Sequence, residues 1–224
     1  MTTVSRLTWK ALAAPWQSSI EEAWASYREG SVPIGAAVVD TQGAIVATGR
    51  NRRDEEAGGD AASHGQPLAH AELNALLEAS TGKRSLRGFS LYTTMEPCPL
   101  CTGALAMAHV GQVQFAARDL WAGSLGLLEA SAFLRSRQIE VVGPFDSQLE
   151  EVMLALNVDF WLRQPSASAS KLIELWRVAF PAAVELGESM YREGALKAAA
   201  RESLPASEML TLLETAASSR RSIA

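Results

Sequence analysis

Cys98 and Cys101 are the only cysteines in the chain and lie three residues apart in Glu96-Pro97-Cys98-Pro99-Leu100-Cys101. A His70-Ala71-Glu72 triplet stands upstream. Any fold this chain adopts must bring two such polar, reactive clusters to a place where they are useful. Both clusters are predicted to open helices. Pro67 suits a first helical turn, and Leu68, Leu73, Leu76 and Leu77 form an apolar face behind His70. Pro97 precedes Thr102–Met107, a run rich in helix formers, and cysteines three apart on a helix share a face. A helix N-terminus also lowers a thiol pKa and so favours the thiolate a soft metal requires. Three ligands, His70, Cys98 and Cys101, make a catalytic zinc site that keeps one position for water, whereas structural sites use four protein ligands. Glu72 is the carboxylate placed to carry protons. Residues two apart do not share a helix face, so His70 and Glu72 can reach one point only at an irregular or first turn.

Each element has a plainer reading. A lone C-x-x-C can be a redox pair of the thioredoxin type, which the upstream His-x-Glu disfavours. His64, in a Gly- and Ala-rich stretch, reads as solvated; as a fourth ligand it would close the site and make it structural. His109 is placed to end the cysteine helix against its C-terminal dipole, with a substrate contact as the other reading.

The chain has 224 residues, 48% of them hydrophobic, with six tryptophans and six phenylalanines, which is ample for a core. Arg6 and Lys10 interrupt Leu7–Ala14, so neither a signal peptide nor a membrane span is expected. Two thiols in a metal motif fit a reducing compartment, and the cytoplasm is expected. The net charge of −5 argues against the broad basic surface of a nucleic-acid binder. A local patch around Arg50, Arg52 and Arg53 remains open.

Along the chain, a helix ends at Tyr27, a buried strand is predicted at 32–39, a turn at 40–43 and a returning strand at 45–48. An exposed loop is expected at 52–66. Further strands are predicted at 89–94, 113–117 and 139–142, with helices at 127–134 and 148–157 among them. Alternating strands and helices imply a layered α/β domain. Residues 164–170, small and polar, read as a linker between a domain at 1–164 and a helical extension at 165–224. The extension's helices are expected at 171–180, 181–200 and 207–217.

Residues 1–164 resemble the cytidine and deoxycytidylate deaminase superfamily, in the branch of tRNA adenosine deaminases, guanine deaminases and cytosine deaminases. The likeness rests on Val32-Pro33-Ile34-Gly35-Ala36, Gly49-Arg50-Asn51, His70-Ala71-Glu72-Leu73-Asn74-Ala75-Leu76 and Thr93–Ala104, in that order. The pairing of H-x-E with P-C-x-x-C is the signature of that group. The resemblance implies a five-stranded mixed sheet in a three-layer α/β/α fold and zinc held by His70, Cys98 and Cys101. Protons would be shuttled by Glu72 and the base contacted by Asn51. Backbone N–H groups around Ala71 and Cys98 would hold the substrate's polar edge. Asn51 also reads as a turn residue. Trp121 stands in a loop near the substrate mouth, departs from the tRNA-editing pattern, and reads alternatively as core. The implied reaction is hydrolytic removal of an exocyclic amine, as ammonia, from a small base, nucleoside or related heterocycle. A tRNA adenosine deaminase and a non-catalytic zinc-binding interaction module are the alternatives. A homodimer is expected. The tail has no counterpart in the family, and its apolar residues must pack on the domain, on a partner copy or over the site.

Overall fold

In a computed structural model that describes residues 7–55 and 65–221, five strands and nine helices follow one another in the alternation read from the sequence. Helix α1 (Ala14–Arg28) precedes a hairpin of β1 (Gly35–Val39) and β2 (Ile45–Arg50). Helix α2 (Ala71–Ala79), β3 (Ser90–Met95), α3 (Pro99–Ala108) and β4 (Gln112–Ala117) follow. A 3-10 turn (Leu125–Glu129) and α4 (Ala132–Arg135) come next, in place of the single predicted helix at 127–134, and β5 (Glu140–Val142) follows at the strand expected at 139–142. The chain ends in α5 (Ser147–Arg163), α6 (Ala167–Ala179), α7 (Pro181–Glu193), α8 (Ala195–Arg201) and α9 (Ala206–Arg221).

The strands form one mixed sheet in the order β2-β1-β3-β4-β5. Strand β1 pairs antiparallel with β2 and β3, whereas β3–β4 and β4–β5 are parallel. Every residue of β1 is buried, which suits its continuous apolar run and central place. One apolar cluster lies against the face covered by α1 and α5, with Trp16, Ile20, Trp24, Leu154 and Leu156 inside. A second, with Ala75, Leu76, Leu91, Leu105 and Val113, lies under α2 and α3. The fold is therefore a three-layer α/β/α domain. Each fully buried large side chain contributes about 1.5–3 kcal/mol.

Gly49 fixes where α2 sits. A Cβ there would lie 2.4 Å from the Ala71 carbonyl oxygen and 2.5 Å from the Ala75 amide nitrogen, so only glycine lets α2 rest on β2. The predicted apolar face of α2 is corrected: Leu68 and Leu77 are exposed and the buried face is Ala71, Glu72, Ala75, Leu76 and Ala79. Close approach to the sheet leaves room for alanines rather than leucines.

The tail packs on this frame. Its Val184, Leu186, Met190, Leu196, Met209, Leu210 and Leu213 share one apolar cluster with α1 and α5. The Trp24 indole N–H donates to the Leu204 carbonyl at 2.7 Å, and Arg221 pairs with Glu151 at 2.7 Å. The predicted linker shrinks to 164–166, because the Ser166 hydroxyl accepts from the Ala169 N–H and starts α6 four residues early. The expected helix at 181–200 breaks at Gly194, whose φ of +67° ends α7 in the left-handed region. Among the described residues no helix is long and apolar enough to cross a membrane. Residues 56–64 of the predicted 52–66 loop, His64 among them, lie outside the described residues.

Candidate active site

The C-terminal ends of β2 and β3 and the N-terminal ends of α2 and α3 meet at one edge of the sheet, and the motif residues stand there. His70 is the N-cap of α2, with extended backbone (φ −79°, ψ 150°), and Glu72 lies in the first turn. This break in helical geometry is what lets residues two apart serve one point. Cys98 is likewise the N-cap of α3, and Cys101 lies one turn in, fully buried.

Cys98 Sγ is 3.4 Å from His70 Nδ1 and 3.7 Å from Cys101 Sγ, and the third side, Cys101 Sγ to His70 Nδ1, is 3.6 Å. Two ligands on a tetrahedral zinc, bonded at about 2.0–2.3 Å, stand roughly 3.6 Å apart. The triangle therefore fits one face of a zinc tetrahedron, and His70, Cys98 and Cys101 are the side chains that could hold the ion. Glu72 borders them: its carboxylate accepts from Cys101 Sγ and from Thr93 Oγ1, both at 3.4 Å.

His70, Cys98 and Glu72 line a cavity of about 410 Å³, while Cys101 is fully buried beside them. The cytidine and deoxycytidylate deaminase zinc-binding region, as a family model, matches residues 13–117. A tRNA-specific adenosine deaminase from Bacillus subtilis is 37% identical over 132 residues, covering 56% of this chain and 75% of that protein. This chain belongs to that deaminase family. A tRNA-specific adenosine deaminase from Aquifex aeolicus is 34% identical over 103 residues, covering 45% of this chain and 62% of that one. A protein solved in complex with 2,6-diaminopurine shares the fold, with a TM-score of 0.50 and 24% identity over 70% of this chain and 85% of its own. As a member, this chain is a zinc-dependent deaminase, and zinc suits its thiolate and imidazole donors.

The deaminase site is electrostatically uneven. Cys98 is pulled down to about 4, first by its hydrogen-bonded contact with Cys101 and then by His70, while burial opposes the shift. Cys101, its partner in that contact and itself buried, is pushed up. His70 is raised, chiefly by its hydrogen bond to Cys98. Burial pushes the Glu72 carboxyl above the ordinary carboxylate range. Glu96 and Asp119, which also line the cavity, are raised by burial as well.

Asn51 is buried and lines the cavity. Its Oδ1 accepts from Ser31 Oγ at 2.9 Å and from the Arg53 N–H at 3.1 Å, so the amide nitrogen is the group left over. Trp121 lines the cavity too, but at 66% exposure it belongs to the mouth and not to the core. Ala71 is fully buried where α2 rests on β2 and is not among the residues that line the cavity. His109 is not brought to the cavity. It caps the far end of α3 in the left-handed conformation (φ 59°), and its ring meets Arg137 Nη1 at 3.1 Å. The helix it terminates separates it from the cysteines at the other end, so the substrate reading of His109 is corrected. The basic patch is also changed in character, because Arg50 and Arg52 both pair with Glu55, at 3.0 and 3.1 Å.

Sequence reasoning missed the opposite wall. Asn157 and Trp161 from α5, with Leu172 and Trp176 from α6, line the same cavity. Asn157 carried a signal, being a lone amide within the apolar run Val152–Val158. Trp176 carried none, since its place depends on how α6 packs.

Proposed function

We propose that this deaminase acts on a free base or nucleoside-sized amino heterocycle, with His70, Cys98 and Cys101 as zinc ligands and Glu72 as the proton carrier. The observation that carries this reading is the wall contributed by α5 and α6: Asn157, Trp161, Leu172 and Trp176 line the same 410 Å³ cavity as His70, Glu72 and Cys98, a volume in the range of small-molecule sites. On this reading residues 1–164 form the catalytic domain and 165–224 an extension that completes its pocket.

When bound, zinc supplies a Lewis acid that lowers the pKa of a water toward neutrality. Glu72 then takes a proton from the attacking water and delivers protons to the ring nitrogen and to the departing amine, which leaves as ammonia. Its burial and raised pKa suit a group that must both accept and donate. Asn51 offers its amide N–H₂ to the base, because Ser31 and Arg53 hold its oxygen. Trp121 flanks the mouth. Adenosine editing within tRNA is the second reading, favoured by the names of the relatives from Bacillus subtilis and Aquifex aeolicus. The pairing of Arg50 and Arg52 with Glu55 leaves less free positive charge for phosphates. A cytoplasmic homodimer belongs to the same proposal; Leu77 on α2 and Met107 on α3 are exposed apolar side chains suited to it.

Ammonia release measured across adenine, guanine, cytosine, their nucleosides and an anticodon stem-loop, at two salt concentrations, tests the reading. Turnover of a free base or nucleoside that is nearly insensitive to salt is expected. Deamination of the stem-loop alone, weakening steeply with salt, would establish the second reading instead.

A further inference from the structure

Three arginines stand where the chain leaves β2, and the fold treats them differently. Arg50 and Arg52 share Glu55, at 3.0 and 3.1 Å, and the Glu55 side chain keeps only a tenth of its surface exposed. Arg53 is left with its chain neighbour Asp54, 3.4 Å away, and more than a third of each of those two side chains is in solvent. An exposed pair of that kind contributes little, so the guanidinium is open to a better partner. The turn that carries it is pinned nonetheless. The Arg53 N–H donates to Asn51 Oδ1 and the Asp54 N–H to Ser31 Oγ, both at 3.1 Å, and the Ser31 hydroxyl donates to Asn51. Arg53 is thereby held at the rim of the cavity that it lines with Asn51, His70 and Glu72.

Its charged end lies toward the site, because the Arg53 charge is felt by the His70 ring and opposes protonation there. The other acids of the cavity lie elsewhere. Chief among the charges acting on Glu96 are those of Asp119 and Arg118, Asp119 feels that of Cys98, and neither carboxylate pairs with Arg53 among the described residues. Among the described residues that line the cavity, only Arg53 and His70 can carry positive charge. One side of the rim thus attracts an anion and the carboxylate side repels it, so a substrate with a negative group is drawn in one way round. The tail adds donors. Ser166 and Ser168 are exposed and line the same cavity; the Ser166 oxygen accepts from the Ala169 N–H, which leaves its proton to donate. A planar guanidinium with hydroxyl donors is a set that suits phosphate oxygens.

We propose that Arg53, with the Ser166 and Ser168 hydroxyls, binds a phosphate monoester of the substrate, so that this deaminase prefers a nucleoside monophosphate to the nucleoside or the free base. The proposal rests on the reading of the cavity as a site for a small amino heterocycle and names the charged group that the heterocycle carries. The base lies toward Glu72 and Asn51, and the phosphate, one sugar away, lies at the rim. One open guanidinium suits one phosphate. A polynucleotide presents many, and the two arginines that could extend the row are occupied by Glu55.

The test is steady-state ammonia release by the zinc-loaded full chain on adenine, guanine and cytosine, their nucleosides and their 5′-monophosphates, with an anticodon stem-loop as the polymer arm. For the base that is turned over, kcat/KM of the monophosphate is expected to exceed that of the nucleoside. Arg53→Gln removes the charge and keeps a hydrogen-bonding side chain. It is expected to lower that ratio about tenfold, through KM, with zinc content unchanged. Arg53→Lys, which keeps the charge and loses the fork, should fall between the two. A ratio at or below one in the unsubstituted protein, or the same ratio in Arg53→Gln, would overturn the proposal while leaving the small-substrate reading intact. Loss of stem-loop deamination in Arg53→Gln, with the monophosphate ratio unmoved, would assign Arg53 to a nucleic-acid surface and overturn it too. If no base, nucleoside or monophosphate is turned over, both readings fall.

Discussion

The wall of the cavity to which we assign the chemistry takes its groups from residues two or three apart, His70 with Glu72 and Cys98 with the buried Cys101 beside it, each pair at a helix start. The facing wall takes Asn157, Trp161, Leu172 and Trp176 from two helices whose meeting depends on the packing of the whole tail. The first wall is rigid for local reasons: caps, first turns and the close seat of α2 on β2 over Gly49. The second is rigid for distributed ones, among them the buried Tyr27–Asp159–Arg163 network, with its 2.5 and 2.7 Å bonds, and the shared apolar cluster of α1, α5, α7 and α9. Substitutions on the first wall should therefore change turnover, and those on the second affinity and stability.

The largest effect should come from removing the second wall. Truncation after Gln164 strips α7 and α9 from the buried face of α5 and deprives the Trp24 N–H of Leu204. Loss of soluble, monodisperse protein in light scattering is expected; a soluble fragment with normal kinetic constants would show the walls to be independent. Next comes Glu72→Gln, which should lower kcat by about 10²–10⁴-fold while zinc content stays at that of the unsubstituted protein. Near-normal kcat would remove Glu72 from the chemistry.

Asn51→Ala should cost roughly tenfold in kcat/KM, the scale of one hydrogen bond to substrate of about 1.4 kcal/mol. Steady-state kinetics on the preferred base decides this. Gly187→Ala probes the second wall from behind. Its Cβ would lie 2.6–2.7 Å from Val158 and the Ala155 carbonyl, forcing α7 off α5 and lowering stability by about 1–3 kcal/mol. A thermal midpoint within a degree of the parent would contradict that packing. Smallest of all, His109→Asn, which keeps a residue tolerant of positive φ, should leave kcat and KM within about twofold. A large rise in KM would return His109 to the site.

Legibility in the sequence followed the same division. The strands, the helix starts and the trio with Glu72 were readable because each is set by residues close in sequence, and the resemblance covered them. Boundaries shifted where capping overrode composition: Ser166 turned a small-residue linker into the first turn of α6, and Gly194 cut a predicted helix in two. The apolar face of α2 was misread because Gly49 brings α2 too near the sheet for leucines. Trp176 was invisible as a site residue, since an apolar helical stripe looks the same whether it covers core or cavity.

The central claim is that the first wall holds a three-ligand zinc with one position left for chemistry. Zinc K-edge X-ray absorption on the purified full chain tests it most directly. Two sulfur scatterers at about 2.3 Å, one imidazole nitrogen at about 2.0 Å and one further light oxygen or nitrogen atom are expected. Zinc bound by four protein ligands, or full occupancy surviving a Cys98→Ala, Cys101→Ala double substitution, would contradict it.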